Sequence, residues 1–317
     1  MYLRALIFIL LPALLYAGED FKSKADELYM KGIWSKAAIS YEESIETAPS
    51  DEGYRRLARS YFYDENLDRS LGVWKIIESL YGSSSESAVS IALIDSLKSG
   101  SFDPLDSVDT KFHSDAVYLR ALGIYRLYAG EINEALYNFY AAAEKDPNDY
   151  MSFFYIGKIY EDLEDFDQGI AEYKKAVSRN PEFAQALNNI GYCLKEKRFY
   201  GYAVQYYQMA INKNPENAGY YYNIGNAYNH RKEFKEAFDS YKKAVELDPK
   251  FAKAHYNMGR MYERMGKYED VIKEFDLYIK YWTPNLSVKD VPLPKTVEEE
   301  IIDIEEALKE AADENKK

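Results

Sequence analysis

Through the middle of the chain, apolar and small residues fall into two alternating helical registers. Around residue 225, Tyr221, Ile224, Gly225 and Tyr228 share one face of a first helix, while Ala237, Tyr241 and Ala244 share one face of a second. Asp248-Pro249 then stops the second helix, because proline has no amide to donate. The register repeats. Gly123, Gly157, Gly191, Gly225 and Gly259 stand 34 residues apart, and Pro147, Pro181, Pro215 and Pro249 keep the same step. One period accommodates one helical hairpin, and a hairpin that cannot bury its apolar face alone is stable only when stacked on its neighbours.

Neighbouring periods carry the same residue types. Leu187, Ile190, Gly191 and Leu194 are followed by Ala203, Tyr207, Ala210 and Pro215, and Phe153, Ile156, Gly157 and Tyr160 by Gly169, Tyr173, Ala176 and Pro181. Leu119, Leu122 and Gly123 lead to Ala135, Phe139, Ala142 and Pro147, with Arg126 where an aromatic is expected. A large residue, a Leu-Gly-like pair, a Tyr, an Ala, an aromatic and a Pro at these spacings resemble the tetratricopeptide repeat. That resemblance implies an all-α, right-handed superhelical solenoid of antiparallel helix pairs with a C-terminal capping helix.

The edges of the array are less regular, as terminal repeats of a solenoid are. His255, Met258, Gly259 and Tyr262 open a fifth unit, but Val271 and Tyr278 replace its two small alanines, so its second helix is expected to pack differently. The array is placed at residues 115–283. Upstream, Ala25, Leu28, Ala37, Tyr41 and Pro49, then Tyr54, Leu57, Ala58, Tyr61, Ser70 and Trp74, give divergent hairpins over 18–81. Residues 82–114 hold one apolar helix and a Gly/Ser/Asp/Pro-rich loop, read as a break between two sub-arrays. Residues 284–294 form a Pro-containing linker. Over 295–317, Val297, Ile301, Ile304, Leu308 and Ala311 draw an apolar stripe on an acidic helix, suited to a cap or to weak self-association through Val297–Ala311.

At the other end, Arg4, an apolar run from Ala5 to Ala17 and then Glu19 and Asp20 read as a signal peptide over 1–17, with an uncleaved membrane anchor as the alternative. An exported protein of the periplasm or cell envelope is therefore expected, membrane-associated only if that segment stays.

A formal charge of −13 leaves no general basic field to release counterions from a phosphate backbone, which argues against a nucleic-acid partner. His113, His230 and His255 lack ligand spacing, and Cys193 lies beside Gly191 as a small buried thiol would. No paired nucleophile and base, phosphate loop or metal cluster emerges, so neither an enzyme nor a cofactor is expected.

Function is expected on the free face of the first helices, which line the concave side of such a stack. Asn189, Asn223 and Asn257 keep the 34-residue step and should form a ladder of amides. Amides suit an extended peptide, since each can donate to a carbonyl and accept from an amide. Asparagines at the equivalent place bind peptide backbone in the O-linked N-acetylglucosamine transferase family, and the resemblance implies that role here; asparagine is also the usual residue at this site across the repeat family. Tyr192, Tyr222, Asn226, Lys253 and Tyr256 flank the ladder, with Phe154 and Tyr155 at an apolar end and Arg260 and Arg264 at a basic end that could take a carboxylate. A protein or peptide partner is the first reading. A glycan stacked on the tyrosines, or a structural spacer of envelope assemblies, is the alternative. Rings wedged between helices would favour peptide, and flat exposed rings would favour sugar.

Overall fold

The computed structural model describes residues 21–282 and 294–314. The expected signal segment, almost all of the Pro-containing linker and the last three residues lie outside these. Among the described residues there is no strand, and consecutive helices pack as pairs. The chain divides into two compact units, Met1–Ile190 and Gly191–Lys317.

The first unit opens with α1 (21–30), α2 (Trp34–Thr47), α3 (Asp51–Tyr63) and α4 (Leu67–Tyr81), continues through α5 (Ser85–Ser99) and the single turn α6 (Asp103–Asp106), and ends with α7 (Ala116–Tyr128), α8 (Ile132–Lys145), α9 (Tyr150–Asp162) and α10 (Phe166–Arg179). The division falls inside α11 (Ala184–Glu196). The second unit contains α12 (Tyr200–Lys213), α13 (Ala218–His230), α14 (Phe234–Leu247), α15 (Ala252–Arg264), α16 (Tyr268–Tyr281) and α17 (Pro294–Glu314). Helices α8, α10, α12 and α14 each stop two residues before one of the periodic prolines, which bars the ladder of amide donors from continuing.

What closes each hairpin is a ring laid on a glycine. A Cβ placed on Gly157 would lie 2.6 Å from Tyr173, on Gly225 2.7 Å from Tyr241, and on Gly259 2.5 Å from Phe275. These rings are fully buried, so any side chain at the glycine would displace a packed aromatic. The periodic glycines are thus sites of close approach.

Residues 82–114, read from sequence as a break, have a core of their own. Ser84 caps α5 in a capping box with Ser87. Val89, Ala92 and Leu93 of α5 then pack with Leu105 of α6, with Val108 just after it and with Tyr118, Ala121 and Tyr125 of α7. Leu105 of α6 is completely buried, so this connection is stitched into the stack.

At the other end the enlarged residues of the fifth unit are accommodated by the cap. Val271 and Tyr278 are fully buried with Ala252, Tyr256 and Phe275, and Val297 and Ile301 of α17 complete the cluster, with Ile304 beside it. The first part of the apolar stripe, Val297, Ile301 and Ile304, packs on this hairpin. Val297 is completely buried and Ile301 nearly so, whereas Ile302, next to Ile301, is exposed.

Candidate functional site

In the first unit the residues expected to line an open face converge on the chain's own N-terminal turn. Asn180 Nδ2 donates to the Met30 carbonyl at 2.8 Å, joining segments 150 residues apart. Gly32, in the left-handed region at φ 73°, lies so close to Phe183 that a Cβ there would meet the ring at 2.9 Å. Trp34 packs on Tyr63 at 4.8 Å and on Phe183 at 6.2 Å, and Phe183 also meets Tyr150 at 5.1 Å and Phe154 at 4.9 Å. Phe154 is therefore buried, a correction to its expected place in an open groove. Tyr155 lies flat on Phe139 at 5.2 Å, and burial pushes its hydroxyl up to about 12.

Charged groups are drawn into the same interior. Arg120 pairs with the buried Asp149 at 2.6 Å, and Asp149 also accepts from the Ser152 hydroxyl at 2.7 Å at the start of α9. Burial alone would lower the Arg120 pKa; the Asp149 carboxylate outweighs it and holds the guanidinium above its ordinary value. Arg59 pairs with Glu86, Arg55 with Asp51 at 2.9 Å, and Arg56 with Asp26 at 2.8 Å. Arg55, Arg56 and Arg59 thus form an ionic lattice tying α1, α3 and α5 together. The cavity between Arg59, Phe62, Glu86 and Arg120, about 40 Å³, has room for water and no more.

The second unit keeps more of its first-helix face open. Asn226 Oδ1 accepts from the Tyr241 hydroxyl at 2.8 Å and from Asn257 Nδ2 at 2.9 Å, linking α13, α14 and α15. Tyr241 is the ring that sits on Gly225, so the packing contact also fixes the amides. One Asn226 oxygen is thus engaged twice, and Asn226 and Asn257 are both half-buried rather than enclosed. In the first unit Asn189 plays a related part, donating to the Tyr173 hydroxyl at 3.0 Å while its oxygen accepts from Asn188 at 3.2 Å. Asn223, Asn257, Tyr192 and Lys253 are half-buried.

Three expected contacts are placed differently. Tyr222 is buried between Phe251 at 5.1 Å and Tyr241 at 6.0 Å, and Tyr256 is buried on Phe275 at 5.5 Å with near-parallel rings. Both are packing residues, because the hairpins interlock through them. Arg260, expected to await a ligand carboxylate, already binds Glu263 and Glu300 of α17, each at 3.0 Å, and donates to the Tyr256 hydroxyl at 3.0 Å. Arg264 is exposed over the Phe234 ring at 4.5 Å. The Tyr192 ring carries the Lys195 ammonium at 4.7 Å. No flat pair of open rings suited to a sugar emerges from Tyr155, Tyr192, Tyr222 and Tyr256.

The histidines have structural partners. His113 stacks on Tyr118 at 4.3 Å, His230 on Tyr200 at 4.8 Å, and His255 bonds Glu274 at 2.8 Å and the Pro249 carbonyl at 3.1 Å. Cys193 is buried. Among the described residues no group of three His, Cys, Asp or Glu is placed to hold a metal, and no helix is long and apolar enough to cross a membrane.

Stacked hairpins with ring-on-glycine closure and polar first-helix faces define a repeat scaffold for protein interaction. Sequence profiles agree: a tetratricopeptide-repeat profile matches residues 156–211, a second matches 252–281, and a TPR-repeat profile matches 225–266. The chain is a tetratricopeptide-repeat protein over this region. Among solved structures it is similar to MamA from Desulfovibrio magneticus RS-1, 23% identical, with 52% of this chain matched to 94% of that one at a TM-score of 0.48. A second MamA crystal structure is 25% identical, with 50% of this chain matched to 94% of that one at a TM-score of 0.47. Comparison with curated proteins gives no match.

Proposed function

We propose that this protein is a non-catalytic scaffold of the cell envelope that binds an extended polypeptide along the α13 and α15 face of its second unit. The observation that carries the reading is the Asn257–Asn226–Tyr241 chain, which ties two half-buried amides of α13 and α15 into one hydrogen-bonded unit. Preorganised amides lose little freedom on binding and match a peptide backbone without selecting its sequence. Asn223 and Lys253 adjoin them on the same two helices. Export is supported by the N-terminal charge and apolar run, Arg4 and Ala5–Ala17.

Affinity capture from an envelope extract tests the face, comparing wild type with the Asn223→Ala, Asn226→Ala and Asn257→Ala variant. One prominent band retained by wild type and lost by the variant is expected, with each truncated amide costing about 1 kcal/mol. Equal capture by the two proteins, both shown folded by urea titration, overturns the reading. Amino-terminal sequencing of the mature protein tests export separately, with cleavage after Ala17 expected.

A further inference from the structure

A second surface of the same unit stands apart from the asparagine face. At the turn inside each hairpin one residue takes the left-handed conformation, and it recurs every 34 residues: Gly130, Glu164, Arg198, Lys232 and Gly266. Glycine is at ease there, whereas any other residue bears a steric cost. In the second unit Arg198 and Lys232, both at φ 63°, occupy it. Each is exposed and forms no ion pair among the described residues. A protein of formal charge −13 thus keeps uncompensated cations at turns where its own periodicity elsewhere uses glycine.

Rings line the surface beside Arg198. Phe199 is 49% exposed and Tyr202 62% exposed, and Tyr200 is immobilised by stacking on His230 with an interplanar angle of 4°. Arg198, Phe199, Tyr200, Tyr202, Gln205 and Arg231 line an open depression of about 580 Å³, where Arg231 is held by Glu233 at 2.7 Å. One rung along, the exposed Phe234 lies under the Arg264 guanidinium. Guanidinium groups match carboxylates in paired hydrogen bonds, and exposed rings beside them supply apolar area. An open depression accommodates a projecting side chain, which a flat bilayer surface does not present.

We propose that the α11–α12 and α13–α14 turns of the second unit form a docking edge for an acidic polypeptide segment in which carboxylates flank an apolar residue. The segment's apolar side chain enters between Phe199 and Tyr202, and its carboxylates meet Arg198 and Lys232. This edge does not depend on the asparagine face.

The probe is a fluorescein-labelled peptide with two glutamates on each side of a phenylalanine, titrated with the full chain by anisotropy; the lysine-for-glutamate peptide is the control. Saturable binding of the acidic probe alone is expected, weakening as salt rises from about 0.1 M to about 1 M. Arg198→Gly with Lys232→Gly should weaken it about tenfold. Both substitutions suit the left-handed backbone, so thermal stability should hold or rise, and lost binding then reports the charges. Capture through the asparagine face should be unchanged in that variant. Equal binding of the acidic probe by the glycine variant overturns the proposal. So does absence of saturable binding by wild type, including the case in which wild type instead sediments with vesicles containing phosphatidylglycerol.

Discussion

The two units use the same hairpin and differ in what covers their first helices. In the first unit α3, α7 and α9 turn arginines, tyrosines and Phe154 inward onto the N-terminal turn, where Trp34 and Phe183 meet. In the second unit α13 and α15 carry half-buried asparagines joined by a hydrogen bond, and α17 covers the end of the stack through Val297 and Ile301. A repeat therefore does not define a binding face by itself. The face stays open only where no other segment of the chain has been folded onto it.

The strongest attempt to break this contrast is Trp34→Ala. If the N-terminal turn is the core of the first unit, losing that ring should cost about 3–5 kcal/mol in urea unfolding; a loss below about 1 kcal/mol would mean the turn merely rests on the surface. Next, Gly225→Ala in the second unit should cost about 3 kcal/mol, since the new methyl meets Tyr241, which is completely buried. Nuclear magnetic resonance should show the Asn226 and Asn257 side-chain amides shifting with that ring. Unmoved amide signals would uncouple the packing contact from the candidate site.

A pH experiment sharpens the account of the second unit. Burial alone would lower the pKa of His255, but the Glu274 carboxylate and Pro249 carbonyl outweigh it and raise it above the ordinary histidine value. A raised folded-state value adds stability below the unfolded pKa of about 6.5, and that stability is lost as pH climbs through the folded one. Glu274→Gln should therefore cost about 2 kcal/mol on the acid side and less on the alkaline side of that range, read from urea midpoints. A pH-independent difference would remove the charged pair from the explanation. The smallest effect is expected from Glu300→Gln, below about 1 kcal/mol in stability because the Glu300–Arg260 pair is partly exposed. Its use is to release Arg260: tighter capture of a ligand by this variant would show that α17 competes for the basic end.

Much of the fold was legible because its cause is local and periodic. The 34-residue step of glycine and proline gave the hairpins, their order and the close approach at each glycine, and Val271 with Tyr278 announced an altered last unit. The candidate site was legible in part. The asparagines were found through their period, whereas Tyr222, Tyr256 and Phe154 shared the same helical faces and proved buried, since a face assigned from spacing does not say which neighbour reaches it. The interior of the first unit left a fainter trace: Arg120 interrupts an apolar run between Leu119 and Ala121, and Asp149 stands at a helix start 29 residues on, with nothing periodic to link them.

The sequence by itself determined the helices, their pairing and the rings that close them, because those contacts join residues within one period and repeat from unit to unit. Tertiary structure alone decided which surfaces remain for a partner. The bond between Asn180 and Met30, the seat of Trp34 on Phe183 and the hold of Glu300 on Arg260 are made once, across many residues. Exposure depends on what the rest of the chain brings to a face, and a pattern read along that face carries no record of it.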